Sequence, residues 1–378
     1  MEDMEAQYIQ TENWYTLENQ AEIASPGLIF YESRIKENIR LLCSMIDHKE
    51  RLRPHVKTHK TAEITKLMLE AGIIKYKCAT IAEAEMLAGA GAVDILLAYQ
   101  PVGPNIERLL TLKQQFPEVL FSCLIDNRES AVEISKSFIT EGEVIDVYID
   151  LNVGMNRTGI LPRKAMTLYA STATLEGLHL VGLHAYDGHI HESDYASREA
   201  QALEIIQILE DLSRSIEAQY NRKPVLIAGG TPTIPIYSQE ENLICSAGTF
   251  VLWDGGYQEA FKEQAFLPAA LLISRVVSLP TNNLICTDLG HKAVASENPL
   301  NKRVVFLNAP ELVTVSQSEE HLVLDAGPNH HYRVGDVLYG LPYHICPTVA
   351  LYEQANVIAA DRSLKTWSIA SRKRKITI

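Results

Sequence analysis

The sequence predicts a (β/α)8 barrel followed by a second, mostly antiparallel β domain, and three observations predict it. Between about residues 50 and 255, short apolar or β-branched runs alternate with amphipathic stretches of a dozen or so residues, which is the rhythm of βα units. Eight such runs follow one another in one continuous block, and that favours a closed barrel over an open doubly wound sheet. After about residue 262 the long helical patterns stop and short apolar runs separated by turn residues take over, as in an antiparallel sheet.

The eight barrel strands are read, in order, at 52–58 (LRPHVKT), 76–81 (YKCATI), 94–99 (DILLAY), 120–126 (LFSCLID), 144–151 (VIDVYIDL), 180–186 (LVGLHAY), 224–230 (PVLIAGG) and 243–249 (LICSAGT). Helices fill the gaps at 81–91, 105–116, 129–140, 163–172 and 197–220, where apolar residues recur at three- and four-residue intervals. The second domain is read from LLISRVVSL, NLICTDL, KRVVFLN, HLVLDAG, DVLYGLP and NVIAAD. The division expected is therefore a barrel over 26–262 and a β domain over 263–378. Residues 1–25 do not fit the barrel rhythm and are expected to join the β domain. No Pro/Gly/Ser linker separates the two.

Composition removes several classes of function. With 34 Lys+Arg against 47 Asp+Glu, the formal charge is −13, which argues against a nucleic-acid or anionic-membrane surface. No run of about 18 apolar residues offers a transmembrane span, and the acidic amino end lacks the pattern of a signal peptide. A cytoplasmic protein with a small-molecule partner is expected. The six cysteines are widely spaced with no CxxC pair, so reduced thiols, most of them buried, are expected rather than a disulfide framework.

In a barrel of this type the chemistry collects where strands end and βα loops begin. Lys57 stands at the end of the first run among His55, His59 and Lys60. A lysine on an apolar strand near other cations is a candidate nucleophile for a carbonyl carbon, and so a Schiff-base former. The last two runs end in Gly229-Gly230-Thr231 and Ser246-Ala247-Gly248-Thr249. Small residues and hydroxyls at neighbouring strand ends suit a phosphate. The fifth run leads to Arg157 between Gly154 and Gly159, a guanidinium suited to an anionic oxygen. The sixth ends in His184, Tyr186, Asp187, His189 and His191. In the β domain, His344 and Cys346 are two apart, and on an extended segment both would face one side as a pair of metal ligands.

These motifs together resemble the metal-activated, pyridoxal-phosphate-dependent D-threonine aldolase and D-serine dehydratase family. This is the fold-type III group, related to the amino-terminal barrel of alanine racemase. The resemblance runs from RPHVKTHK through GMNRTG, AYDGH, GGTPT and AGTFVLWDGGY to HICPT. It implies that Lys57 carries pyridoxal 5'-phosphate, that Arg157 meets the phenolic oxygen and that Tyr186 lies beside the ring. Gly230, Thr231, Gly248 and Thr249 would hold the phosphate, and His344 and Cys346 a zinc or manganese ion. Ser246 stands where alanine racemases carry an arginine facing the pyridine nitrogen, a departure from the racemase pattern.

The activity implied is a lyase acting on D-3-hydroxy amino acids. Retro-aldol cleavage of the D-threonine aldolase kind stands first, with His189 or His191 as the base at the hydroxyl, and D-serine dehydratase-type β-elimination is the alternative. An amino-acid racemase and a non-catalytic cofactor-binding protein are further alternatives. A homodimer is implied, because relatives of this fold type complete the barrel mouth with the partner's β domain.

Overall fold

The computed structural model describes residues 13–359 and 364–378. Residues 1–12 of the amino-terminal segment, and Ala360 and Asp361 at the end of the NVIAAD run, lie outside the described residues. The chain divides into two compact units. One comprises Leu42–Lys57, Ala62–Gly248 and Lys373–Ile378; the other comprises the described part of Met1–Leu41, Thr58–Thr61 and Thr249–Arg372.

Strand β1 (Gly27–Tyr31) leads into helix α1 (Glu32–Ser44) and then into the first unit. There a parallel sheet runs in sequence order through β2 (Lys75–Cys78), β3 (Asp94–Leu97), β4 (Leu120–Ile125), β5 (Ile145–Leu151), β6 (Leu178–Ala185), β7 (Val225–Ala228) and β8 (Leu243–Cys245). Helices α2 (Ala62–Glu70), α3 (Ile81–Ala90), α4 (Pro104–Gln115), α5 (Arg128–Thr140), α6 (Pro162–Thr172) and α7 (Tyr195–Tyr220) alternate with these strands. Their starts are written locally. Thr80, Asn127 and Asp194 each accept a hydrogen bond from the backbone N–H three residues on, capping α3, α5 and α7.

The first predicted strand is the exception. Residues 52–58 form no regular strand; instead Leu52 bridges to Cys245 and His55 to Lys77, both in parallel sense. Arg53 N–H donates to the Cys245 carbonyl at 2.9 Å, His55 N–H to that of Ala247 at 2.8 Å and Lys77 N–H to that of Pro54 at 2.9 Å. The segment thus closes the barrel between β8 and β2. Pro54 has no N–H to donate and a fixed φ, so a continuous ladder cannot pass through it. The chain then turns into a 3-10 segment, Val56–Thr58, and Lys57 sits on that turn rather than on a strand as expected.

Leu96, Leu124, Tyr148 and Ile227, one each from β3, β4, β5 and β7, pack together as a core cluster of this unit. Arg53, 1 % exposed, grips Asp94 at the start of β3 through two parallel hydrogen bonds of 2.7 and 2.8 Å. Removing the carboxylate leaves a buried guanidinium unpaired. Asp94→Ala is therefore expected to destabilise the protein by about 3 kcal/mol, the low end for a broken buried pair because Asp94 is partly exposed. A urea or thermal unfolding curve measures this directly, and a loss below about 1 kcal/mol would mean the fork is replaceable by water.

In the first unit α8 (Ile234–Tyr237) follows β7, and in the second unit α9 (Gly255–Ala260) precedes a nine-stranded sheet. Its strands are β1, β9 (Ala270–Ser278), β10 (Leu284–Thr287), β11 (Val304–Phe306), β12 (Val313–Gln317), β13 (Leu322–Asp325), β14 (Val337–Pro342), β15 (Gln354–Ile358) and β16 (Leu364–Ser368). The order is β12-β13-β10-β9-β1-β15-β16, with β14 pairing β9 and β11. All pairs are antiparallel except β1 with β15. The sequence reading began the barrel at residue 26, whereas β1 lies in this sheet, all five of its residues buried. Residues 249–262 belong to this unit too. Leu17 and Ile23 from the amino-terminal segment pack with Ile29, Tyr31, Leu271, Ile273, Tyr339, Leu341 and Ile358, the apolar contact that ties the described part of 1–25 to this unit.

None of the six cysteines forms a disulfide; Cys78, Cys123 and Cys245 are buried and the other three half-buried. No helix among the described residues is long and apolar enough to cross a membrane.

Candidate active site

The carboxyl ends of the barrel strands bring together a line of buried polar groups. Asp150 and His184 are register partners on β5 and β6, and the Asp150 Oδ1 to His184 Nδ1 distance is 2.8 Å. Gln100 donates to the other Asp150 oxygen at 2.9 Å and to Asp126 at 3.1 Å. On the far side of the imidazole, Nε2 lies 3.4 Å from Lys77 Nζ. Burial is the largest single influence on Asp150 and works to raise its pKa, but His184, Thr158 and Gln100 together outweigh it and hold the carboxyl below its ordinary value. Burial, followed by the Lys77 charge, keeps His184 low and neutral, and burial with the Lys57 charge pushes Lys77 down to about 7.

Three cations surround one aromatic ring. Lys57 Nζ is 5.3 Å, Lys77 Nζ 5.6 Å and the Arg157 guanidinium carbon 5.1 Å from the centre of the Tyr186 ring, within reach of a cation–π attraction. Tyr186 lies back against its own chain at Gly188, where a Cβ would sit 2.5 Å from a ring carbon. Arg157 is presented by a loop that Asn152 ties together, its side-chain oxygen accepting from Gly154 N–H at 3.2 Å and Asn156 N–H at 3.0 Å. Gly154 (φ +138°) has no room for a side chain, because a Cβ there would lie 2.3 Å from His189 Nε2.

The two candidate histidine bases are placed differently. His189 is half-buried, and its Nδ1 is buried without a hydrogen-bond partner among the described residues. His191 is exposed and turns its Nδ1 to the His189 carbonyl, 2.6 Å away. His189 Nδ1 thus has no partner among the described residues, whereas His191 is satisfied within its own loop.

The glycines at the last strand ends are held by hydroxyls. Gly248 N–H donates to Thr231 Oγ1 at 3.0 Å and Gly230 N–H to Thr233 Oγ1 at 3.2 Å. Thr233 in turn donates to the buried Asp187 at 2.7 Å, and burial raises the Asp187 pKa. Ser246 spends its hydroxyl on the Arg53 carbonyl at 3.0 Å. Thr249, the fourth phosphate candidate, opens the second unit, where its Oγ1 is 3.5 Å from Cys346 Sγ. An amine, a guanidinium, an orphaned imidazole nitrogen and strand-end N–H groups with hydroxyls are the donor set that a phosphorylated aldehyde with a phenolic oxygen requires. The residues fit that group.

In the second unit the HxC segment is not extended, as its spacing suggested. His344 is the N-cap of helix α10 (Ile345–Val349) and Cys346 lies in its first turn. Pro347 is tolerated there because first-turn N–H groups have no intrahelical acceptor, and Asp254 accepts from Ile345 N–H at 3.0 Å. The two side chains still meet, through a hydrogen bond between His344 and Cys346. Cys346 Sγ is also 3.2 Å from Thr58 Oγ1, and His344 Nδ1 makes a short contact with Glu297. Burial opposes the His344 cation, but Cys346, Asp254 and Glu297 overcome it and raise the pKa to about 9. A nitrogen and a sulfur converge, with a carboxylate behind the imidazole as metal-binding histidines commonly have. Among the described residues no group of three or more His, Cys, Asp or Glu is arranged to hold a metal ion, so the pair fits only an open site whose other positions come from water or substrate.

The family model described as "Alanine racemase, N-terminal domain" matches residues 32–249, more than half of the chain. The chain belongs to this family. A second model, described as "Putative serine dehydratase domain", matches residues 269–358. Membership of this family implies pyridoxal phosphate as the cofactor. Among curated relatives, a D-threonine aldolase from Arthrobacter sp. is 27% identical over 93% of each chain. A D-threo-3-hydroxyaspartate dehydratase from Delftia sp. is 24% identical over 91% of this chain and 96% of its own. The crystal structure of D-threonine aldolase from Filomicrobium marinum, at 23% identity, shares the fold with a TM-score of 0.85 over 93% of this chain and 96% of that one.

Against this family fold, sequence reasoning singled out Lys57, Arg157 and Tyr186, which meet, but passed over Lys77, and quoted His184 without its partner Asp150. The signal was present at Lys77, an ionisable residue between Tyr76 and Cys78 on an otherwise buried strand.

Proposed function

We propose that the chain is a pyridoxal-phosphate- and metal-dependent lyase of D-3-hydroxy amino acids that cleaves D-threonine-type substrates to glycine and an aldehyde. The observation that carries this reading is the convergence of Lys57 and Arg157 on Tyr186 in a barrel of this family. Its support in the comparisons is the full-length likeness to a D-threonine aldolase. When bound, the cofactor supplies an electron sink for bonds at the substrate's α carbon, and a zinc or manganese ion supplies a Lewis acid for the β-oxygen.

The chain's own residues do the rest. Lys57 Nζ would hold the cofactor's carbonyl carbon, Arg157 would meet its phenolic oxygen, and Tyr186 would lie beside its ring. Gly230, Thr231 and Gly248 hold the phosphate, with Thr249 next in the chain. His344 and Cys346 hold the metal. His189 takes the hydroxyl proton, since its Nδ1 has no partner among the described residues and His191 is committed to its own loop.

A second reading, β-elimination to a 2-oxo acid and ammonia, is favoured by the HxC pair lying inside the segment matched by the dehydratase-domain model and by the two dehydratase relatives. In that case Lys57 itself removes the α proton. Incubating the cofactor- and metal-loaded protein with D-threonine separates the two. Glycine plus acetaldehyde is expected; 2-oxobutyrate plus ammonia would establish the dehydratase, and neither product would remove the substrate class.

The enzyme is further proposed to act as a cytoplasmic homodimer. Light scattering should give twice the mass of one chain, and a fully active monomer would overturn the dimer.

A further inference from the structure

The barrel unit holds a second amine whose surroundings go beyond what a structural lysine needs. Lys77, on β2, is 2 % exposed, and its Nζ is in hydrogen-bond contact with His184 Nε2, 3.4 Å away. Protonation fixes the direction of this line. An ionised Asp150 only accepts, so His184 Nδ1 donates to it; Nε2 of the neutral ring then accepts, and Lys77 is the donor. One hydrogen of the amine is thereby aimed at the imidazole, while the nitrogen remains beside the Tyr186 ring that Lys57 also faces. Burying an ammonium merely to fill space costs more than burying a neutral side chain of the same length, so the placement calls for a function.

We propose that Lys77 is an acid–base residue of this site: as an uncharged amine it accepts the proton that an amino-acid ammonium must lose before it can displace Lys57 from the cofactor. The inference rests on the reading of Lys57 as the cofactor-bearing lysine. The substrate nitrogen, having given its proton to Lys77, uses its lone pair for a new bond to the carbonyl carbon. The bond from that carbon to Lys57 Nζ breaks with its electrons on Lys57 as a second proton passes from the substrate nitrogen to Lys57 Nζ, and the freed Lys57 amine takes the first proton back from Lys77.

The charges around Lys77 are consistent with that role. Burial first, and the Lys57 charge second, bring its titration down to about 7, with Arg53 acting in the same sense and Asp187 and Asp150 opposing. Among the described residues, His184 also faces it and Arg157 shares its tyrosine. An amine in this environment exchanges protons near neutrality, where a general base is most effective.

Two measurements test the proposal. In cofactor-free protein carrying lysine labelled with carbon-13 at the ε position, one resonance is expected to titrate near neutral pH and to be missing from Lys77→Gln. In the loaded protein, the change in cofactor absorbance on mixing with D-threonine is expected to slow by about tenfold or more at neutral pH in Lys77→Gln. That deficit should shrink as the pH rises, because the amino acid then arrives already uncharged. Should Lys77→Gln fail to fold, Lys77→Arg serves in its place, keeping the donor to His184 but unable to accept a proton. A spectrum with no lysine titrating near neutrality, or a deficit equal at every pH, overturns the proposal. Retention of covalent cofactor by Lys57→Ala instead overturns the reading of Lys57, and the two failures are therefore told apart.

Discussion

Lys57→Ala is expected to lose the visible absorbance of covalently held cofactor, to trap no cofactor on borohydride treatment, and to lose turnover by about a thousandfold or more. The expectation comes from placement. Lys57 stands on the 3-10 turn that follows the barrel-closing segment, its backbone N–H donating to His55 Nδ1 at 3.2 Å. Its side chain is half-buried, the more accessible of the two amines beside Tyr186, whereas Lys77 is enclosed and tied to His184. Truncating a half-buried side chain that fills no core position should change stability by less than about 1 kcal/mol, so the loss would be one of chemistry and not of folding. A variant that still trapped cofactor would transfer the carrying role to another lysine, with Lys77 the first to examine.

Chelation is expected to lower turnover by about a hundredfold or more while leaving the cofactor absorbance unchanged, since a Lewis acid at a developing oxyanion is worth several kcal/mol. Zinc or manganese added back should restore activity, and His344→Ala should reproduce the chelated state and resist restoration. The argument is the donor set: imidazole and thiol meet at the start of α10, and Glu297 steadies the imidazole from behind. Glu297→Ala should weaken metal binding by about tenfold or more, the usual effect of removing a carboxylate behind a ligating histidine. Full activity in a metal-free preparation would take His344 and Cys346 out of the mechanism.

Much of the barrel was legible because its signal is local. The runs read as the third, fourth, fifth, seventh and eighth strands each contain a strand of the sheet, the sixth overlaps β6, and the long periodic stretch read at 197–220 lies within α7. Apolar alternation, N-cap residues and strand-end glycines act over a few residues, so one pass along the chain finds them. Lys57, Arg157 and Tyr186 were found in the same way, by their position just after apolar runs.

What the sequence alone determined is thus the βα rhythm, the change to antiparallel strands and the residue types at the strand ends. Tertiary structure decided which of them meet. The GLIFY run reads equally well as a strand of either sheet, and only its partners, β9 and β15, more than two hundred residues away, assign it to the antiparallel one. Arg53 finds Asp94 across 41 residues, and Lys77 finds His184 across 107, because closing the sheet into a barrel brings distant strands' side chains together. An extended segment would have faced His344 and Cys346 to one side; instead Pro347 and the Asp254 acceptor turn the chain into a helix that still brings them into contact. Periodicity records which face of an element is buried; it carries no information about which distant element covers that face, since non-local pairing is fixed by sheet closure and packing.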